Sequence, residues 1–87
     1  MIIYYHPRFQ KSFHQLDERI RDRARDKVEL FRANPFDKRL DTHHLHGKLR
    51  HQLSFSVTAK IRILFEFYGS MHDQVVFLDI GDHDIYR

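Results

Sequence analysis

The feature that most constrains this chain is a change of hydrophobic period partway along it. Phe9, Phe13, Leu16, Ile20, Ala24, Val28 and Phe31 recur three or four residues apart, a spacing that gathers apolar groups on one side of a helix. Further on the period drops to two. Leu53, Phe55 and Val57 alternate with Ser54, Ser56 and Thr58, and Ile61, Ile63, Phe65 and Phe67 alternate with Arg62, Leu64, Glu66 and Tyr68. Both segments are expected to be half-buried strands. Val75-Val76-Phe77-Leu78 is a continuous apolar run suited to a central strand. At the other end, Ile2 to Tyr5, stopped by Pro7, reads as a first strand followed by a helix start. The order predicts an α+β fold: an N-terminal strand, then two helices packed on one face of a mostly antiparallel sheet that three sequential C-terminal strands complete.

The helical stripe runs to Asn34-Pro35. Unbroken, it would be about 38 Å long at ~1.5 Å per residue, longer than the roughly 30 Å expected across a domain of this size. Asp17 is the natural place for a break, as an N-cap between a short first helix and a second one from Glu18 to Ala33. Charges on that second helix alternate in sign, with pairs such as Arg19 with Asp22 and Arg23 with Asp26, as on a solvated face. Residues 34–47 are expected to be irregular. A hairpin turn near Ala59-Lys60 lacks the Gly or Asn that would secure its register. Folding Ile61 to Phe67 back on both neighbours sets Arg62 beside Val57 or Thr58 on one side and near Asp79 or Ile80 on the other. Arg62 and the departing Gly81-Asp82-His83 tail then share one end of the sheet, on strands about 4.8 Å apart.

Size and composition bound the rest. With 87 residues, of which 41% are hydrophobic, the chain is expected to form a single domain, 1–87, around one core. It has no Cys, which excludes a disulfide scaffold and a Cys-based zinc site and suits a reducing cytoplasm. The opening Met1-Ile2-Ile3-Tyr4-Tyr5 is too short for a signal-peptide core, and no apolar run approaches the ~20 residues of a membrane span. A cytoplasmic protein without a membrane partner is expected.

The chain's 15 Lys and Arg face 12 Asp and Glu, a modest excess that is unevenly placed. Between Thr42 and Phe65 there is no acid, yet Lys48, Arg50, Lys60 and Arg62 lie there with His43, His44, His46 and His51. One segment therefore carries the positive excess, and an anionic partner follows. The competing reading is a solvated loop and hairpin.

RNA is cleaved without cofactors when a base takes the 2′-hydroxyl proton, a cation steadies the phosphate and an acid protonates the leaving 5′ oxygen. Histidine suits the proton transfers and arginine the phosphate. His83 and Arg62 supply both, and Tyr86 can stack on a base or donate its hydroxyl proton. The plainer alternatives are an exposed tail histidine and a strand arginine paired with Glu66. His43, His44 and His46, with His51 nearby, could hold a metal, but they offer no helical i,i+4 pair and no suitably spaced carboxylate. Neither a metal nor another cofactor is expected.

Leu45-His-Gly-Lys-Leu49, Phe55-Ser-Val, Ile61-Arg-Ile-Leu-Phe65 and Phe77-Leu-Asp-Ile-Gly-Asp-His-Asp-Ile-Tyr86 resemble the pattern of RelE/ParE-superfamily toxins, nearest the YafQ and RelE side. The resemblance covers the chain in order, and the ending with Gly81, His83 and Tyr86 is its most specific part. It implies a toxin of a type II toxin–antitoxin system of the kind linked to plasmid stabilization. Such a toxin is a ribosome-dependent mRNA interferase, an endoribonuclease (hydrolase) that inhibits translation by metal-independent general acid/base cleavage. It also implies a cognate antitoxin, with the ribosome and mRNA as targets and operator DNA reached only through the antitoxin complex. By the same resemblance Arg62, His83 and Tyr86 are catalytic, while Lys48, Arg50, Lys60, His43, His44 and His46 grip RNA. The chain departs from the pattern at Ser54 and Ser56, where relatives carry basic residues, and in lacking a tryptophan before that strand. Those departures favour a histidine-driven reaction over a lysine-driven one. They also keep open a catalytically inactive RNA-binding homologue; the other alternative is a ParE-like inhibitor of DNA gyrase with the same fold, against which the ending with His83 and Tyr86 argues.

Overall fold

Asp17 breaks the helical stripe as expected: its carboxylate accepts a hydrogen bond from Ile20 N at 3.0 Å, satisfying one of the amides that a helix start leaves open. The computed structural model describes residues 1–86, and Arg87, the last residue of the predicted tail, lies outside them. Its elements are β1 (Ile2–Tyr5), α1 (Pro7–Gln15), α2 (Glu18–Ala33), β2 (His43–His44), β3 (Leu53–Ser56), β4 (Arg62–Tyr68) and β5 (Gln74–Gly81). Short 3₁₀ turns occupy Lys38–Leu40, Gly47–Leu49 and His83–Tyr86.

The strands form one sheet in the order β1-β5-β4-β3-β2. β1 runs parallel to β5 and the other neighbours are antiparallel. Phe31 of α2 is the centre of the core. Its ring lies 4.8 Å from that of Phe55, 4.9 Å from Phe65 and 5.4 Å from Phe77, so one helix residue ties together three strands. All four rings are fully buried, and Phe9 of α1 joins them against Phe77. Ser54, Arg62 and Leu64 alternate to the sheet face away from the helices. That face is partly covered by the last two 3₁₀ turns, where Leu49 and Ile85 join Leu64 and Leu78 around a small cavity.

Several details differ from the sequence expectation. Residues 34–47 are not simply irregular: His43 and His44 pair with Ser54 and Leu53 as a fifth strand, too short for any period to announce it. Near its start, Asp37 holds the guanidinium of Arg39 in a fork at 3.0 and 2.9 Å. That side-chain bond holds the Asp37 carboxyl down to about 2. On α2, Asp22 pairs with Arg25 at 2.7 Å rather than with Arg19; such exposed pairs add little stability.

The hairpin between β3 and β4 solves its missing glycine with a threonine. Thr58 Oγ1 accepts from the amides of Lys60 at 3.2 Å and Ile61 at 3.0 Å, so a side chain does locally what a left-handed residue does elsewhere. Arg62 consequently pairs with Ser56, not with Val57 or Thr58. On its other side it pairs with Gly81 rather than Asp79 or Ile80. The cause is a bulge: Leu64 faces Asp79 but Phe65 faces Phe77, leaving Leu78 as an extra residue in β5. A bulge adds one residue to one strand and shifts every later partner.

Candidate active site

Arg62 opens β4, and the neighbouring strands gather groups around its side chain. On the sheet face away from the helices, its Nε–H donates to Ser54 Oγ at 2.9 Å. One terminal nitrogen donates to Asp41 O at 2.7 Å and Ser54 O at 3.2 Å, and lies 3.3 Å from His43 Nδ1. The other stands 3.5 Å from the Asp41 carboxylate. Arg62 is thus a braced cation, not a strand arginine paired with Glu66. Asp41 reaches it from a left-handed backbone position, φ 48°, that ends the 3₁₀ turn Lys38–Leu40.

Gly81 lets the chain return to this corner. A Cβ there would lie 2.8 Å from Ile85 Cγ2, so a side chain at this position would push the turn His83–Tyr86 away. With glycine, Ile85 seals against the sheet and Tyr86 comes back over β3, its hydroxyl 3.1 Å from Ser54 Oγ. The turn is braced further by Asp82, whose carboxylate accepts from Asp84 N at 3.0 Å.

Arg62, His83, Tyr86, Lys60, Asp82 and Ala59 line one open cleft of about 460 Å³. The three residues expected to be catalytic, and one expected to grip RNA, therefore meet at one place. His83 is 85% exposed, with Nε2 3.6 Å from the Asp84 carboxylate, so its ring is free to meet a substrate and has an acid beside it when it carries charge. His43 stands beside Arg62. Its Nδ1 is 3.1 Å from Asp41 O, and that carbonyl can only accept. A proton on Nδ1 satisfies this bond and leaves Nε2 with a free lone pair, the tautomer a proton acceptor needs.

The other basic residues, His43 among them, do not line the cleft. His44 pairs opposite Leu53 and so alternates away from His43. His46, Lys48 and Arg50 are exposed on and around the turn Gly47–Leu49, between β2 and β3. Sequence reasoning missed Ser54 and Asp41 as members of the site. The register of β3 against β4 could have signalled Ser54, but nothing in the sequence signals Asp41. As for metals, His43, His44 and His46 form no three-ligand group among the described residues. The trio that comes closest is Asp82, His83 and Asp84, exposed and within 4.8 Å of one another. A separate groove is lined by the apolar Tyr5, Phe9, Phe13, Ala24 and Val28 together with the charged Arg25, Asp26, Glu29 and Arg32 of α2.

No protein-family model matches the sequence, and no curated protein matches it. Solved structures do match the fold. The YoeB/ParE toxin from Agrobacterium tumefaciens superposes with a TM-score of 0.80 at 17% identity, over 95% of this chain and 99% of that one. YafQ from E. coli strain BL21(DE3) gives 0.77 at 15% identity, over 97% of this chain and 94% of its own. The E. coli DinJ-YafQ toxin-antitoxin complex gives 0.74 at 16% identity, over 95% and 92%.

Proposed function

We propose that this chain, which has the fold of the RelE/ParE-superfamily toxins, is the toxin of a type II toxin–antitoxin pair and cuts mRNA on the ribosome. The observation that carries the reading is the single cleft that joins Arg62, His83, Tyr86 and Lys60 at the end of an acid-free basic segment. A fold hosts many functions, and the site decides among them. Here the groups are those of phosphodiester cleavage by proton transfer.

In that reaction His43 Nε2 takes the proton of the 2′-hydroxyl. The 2′ oxygen attacks phosphorus, the bond from phosphorus to the 5′ oxygen breaks, and protonated His83 gives its proton to the departing oxygen. The products are a 2′,3′-cyclic phosphate and a 5′-hydroxyl, with His43 protonated and His83 neutral until water exchanges the protons. Arg62 and Lys60 hold the non-bridging oxygens. The Asp41 carboxylate, 77% exposed and only loosely held at 3.5 Å, stands where a phosphate oxygen takes its place. Tyr86 donates to the same phosphate. Lys48, Arg50, His44 and His46 grip the flanking RNA.

An antitoxin completes the pair, as in the DinJ-YafQ toxin-antitoxin complex, and operator DNA is reached through that complex. The test is to add the protein to translating ribosomes and map mRNA 5′ ends. New 5′-hydroxyl ends on ribosome-bound message, with naked RNA left nearly intact, are expected. Undiminished translation at excess protein overturns the reading, and a block of gyrase supercoiling in its place identifies a ParE-like inhibitor of the same fold.

The basic margin makes its own prediction. Each phosphate contact on a single strand contributes about 0.7 to the log–log dependence of affinity on salt. Replacing Lys48 and Arg50 with Gln is expected to flatten that dependence by roughly 1.4, read from ribosome binding across a salt series. An unchanged slope places the RNA contact elsewhere, for which the charged face of α2 is the next candidate.

A further inference from the structure

Ser54 is, among the described residues, the one polar residue shut off from solvent, at 0% exposure. It also touches two groups of the cleft, Arg62 and Tyr86. A serine hydroxyl has one proton to give and two lone pairs to offer. Arg62 Nε–H fills one lone pair at 2.9 Å, and a guanidinium has nothing with which to accept a proton in return. The other group at Ser54 Oγ is Tyr86 Oη, 3.1 Å away. Either hydroxyl can donate across that gap. If Tyr86 donates inward, the serine proton is left in a buried place without an acceptor, which is costly. If Ser54 donates outward, every group is satisfied.

We infer that Ser54 is a positioning residue that donates its proton to Tyr86 Oη, with Arg62 fixing the direction of that bond. Tyr86 then accepts from within the protein and keeps its own proton for the cleft, aimed at a non-bridging oxygen of the bound phosphate. Arg62 acts twice, directly as a cation on the phosphate and through Ser54 on the orientation of the tyrosine. The catalytic consequence rests on the cleavage reaction proposed above, whereas the hydrogen-bond relay does not, and the two can be tested apart.

The experiment uses the full chain with ¹³C at the tyrosine ζ-carbon. Loss of one resonance in Tyr86→Phe assigns Tyr86 among the four tyrosines. Ser54→Ala is expected to move that resonance and leave those of Tyr4, Tyr5 and Tyr68 in place. In single-turnover cleavage on ribosomes, the same variant is expected to react about tenfold to hundredfold more slowly, the usual cost of a misplaced reacting group. Its KM should stay within about threefold, because no ground-state contact to RNA is removed. In a Tyr86→Phe background Ser54→Ala should cost nothing further. If Ser54→Ala fails to fold, Arg62→Lys serves instead, since it removes the Nε–H that sets the relay and is expected to move the same resonance. An unmoved Tyr86 resonance overturns the inference, as do losses that multiply in the double variant. A Tyr86 resonance that moves on Ser54→Ala, with wild-type protein that cuts no mRNA, overturns the proposed function and leaves the relay standing.

Discussion

His83→Ala is expected to slow mRNA cleavage by roughly 10²–10⁴-fold, the range for losing a positioned proton donor, while ribosome affinity stays close to that of the wild type. The two effects separate because of where the residue sits. His83 is 85% exposed and its charged neighbour is the adjacent Asp84, so its removal leaves the cleft standing. One imidazole also adds little to an interface made of many phosphate contacts. Its contribution is made as the bond to the 5′ oxygen breaks, and an interaction made only in the transition state lowers kcat without raising KM. Single-turnover cleavage with saturating ribosomes measures the first quantity, and sedimentation with ribosomes the second. Wild-type cleavage by His83→Ala would remove His83 from the mechanism even if the toxin assignment survived.

Arg62→Ala is expected to lose about 10²–10³-fold in cleavage, comparable to removing one preorganised group that stabilises charge in a transition state, and to weaken RNA binding as well. The charge meets phosphate before and during the reaction, so both kcat and KM change. Unlike His83, this side chain is also part of the architecture. It ties Ser54 of β3 to the Asp41 carbonyl just before β2, and its loss leaves the buried Ser54 hydroxyl without one partner. A lower melting temperature should accompany the lost activity. Arg62→Lys separates the two roles: it restores the positive charge but not the fork, so RNA binding should recover more than the cleavage rate. Full activity in Arg62→Ala would show that phosphate is held elsewhere.

How far the sequence foretold this depends on the distance over which each feature is decided. Asp17 was legible because a cap is set by its own carboxylate and an amide three residues on. The core rings were legible because Phe9, Phe31, Phe55 and Phe65 fall on the helix and strand periods and Phe77 lies in a continuous apolar run. The corner that joins Arg62 to residues 81–83 followed from counting back along two hairpins. The count was off by one or two residues because Leu78 bulges from β5 in a run of four apolar residues that carries no local mark of it. Ser54 stood out in the sequence only as a departure from a basic pattern. Its function as a buried bridge depends on Tyr86 returning from 32 residues away. Asp41 was out of reach altogether, since it meets Arg62 through a turn whose course no periodicity records.

The parallel pairing of β1 with β5 has a consequence for how the molecule comes to be folded. Ile2 faces Gln74 and Tyr5 faces Phe77, and β1 has no other strand beside it in the sheet. The antiparallel strands β3, β4 and β5 join through short connections and can associate early, whereas β1 must wait for a partner at the far end of the chain. Closing so long a loop costs entropy before any contact repays it, and pairings of this kind slow folding. A chain still emerging from the ribosome therefore holds α1 and α2 without a completed sheet until β5 has been made. β5, the last of these five strands, unites the first with the rest, and the turn that carries His83 and Tyr86 takes its place only after that.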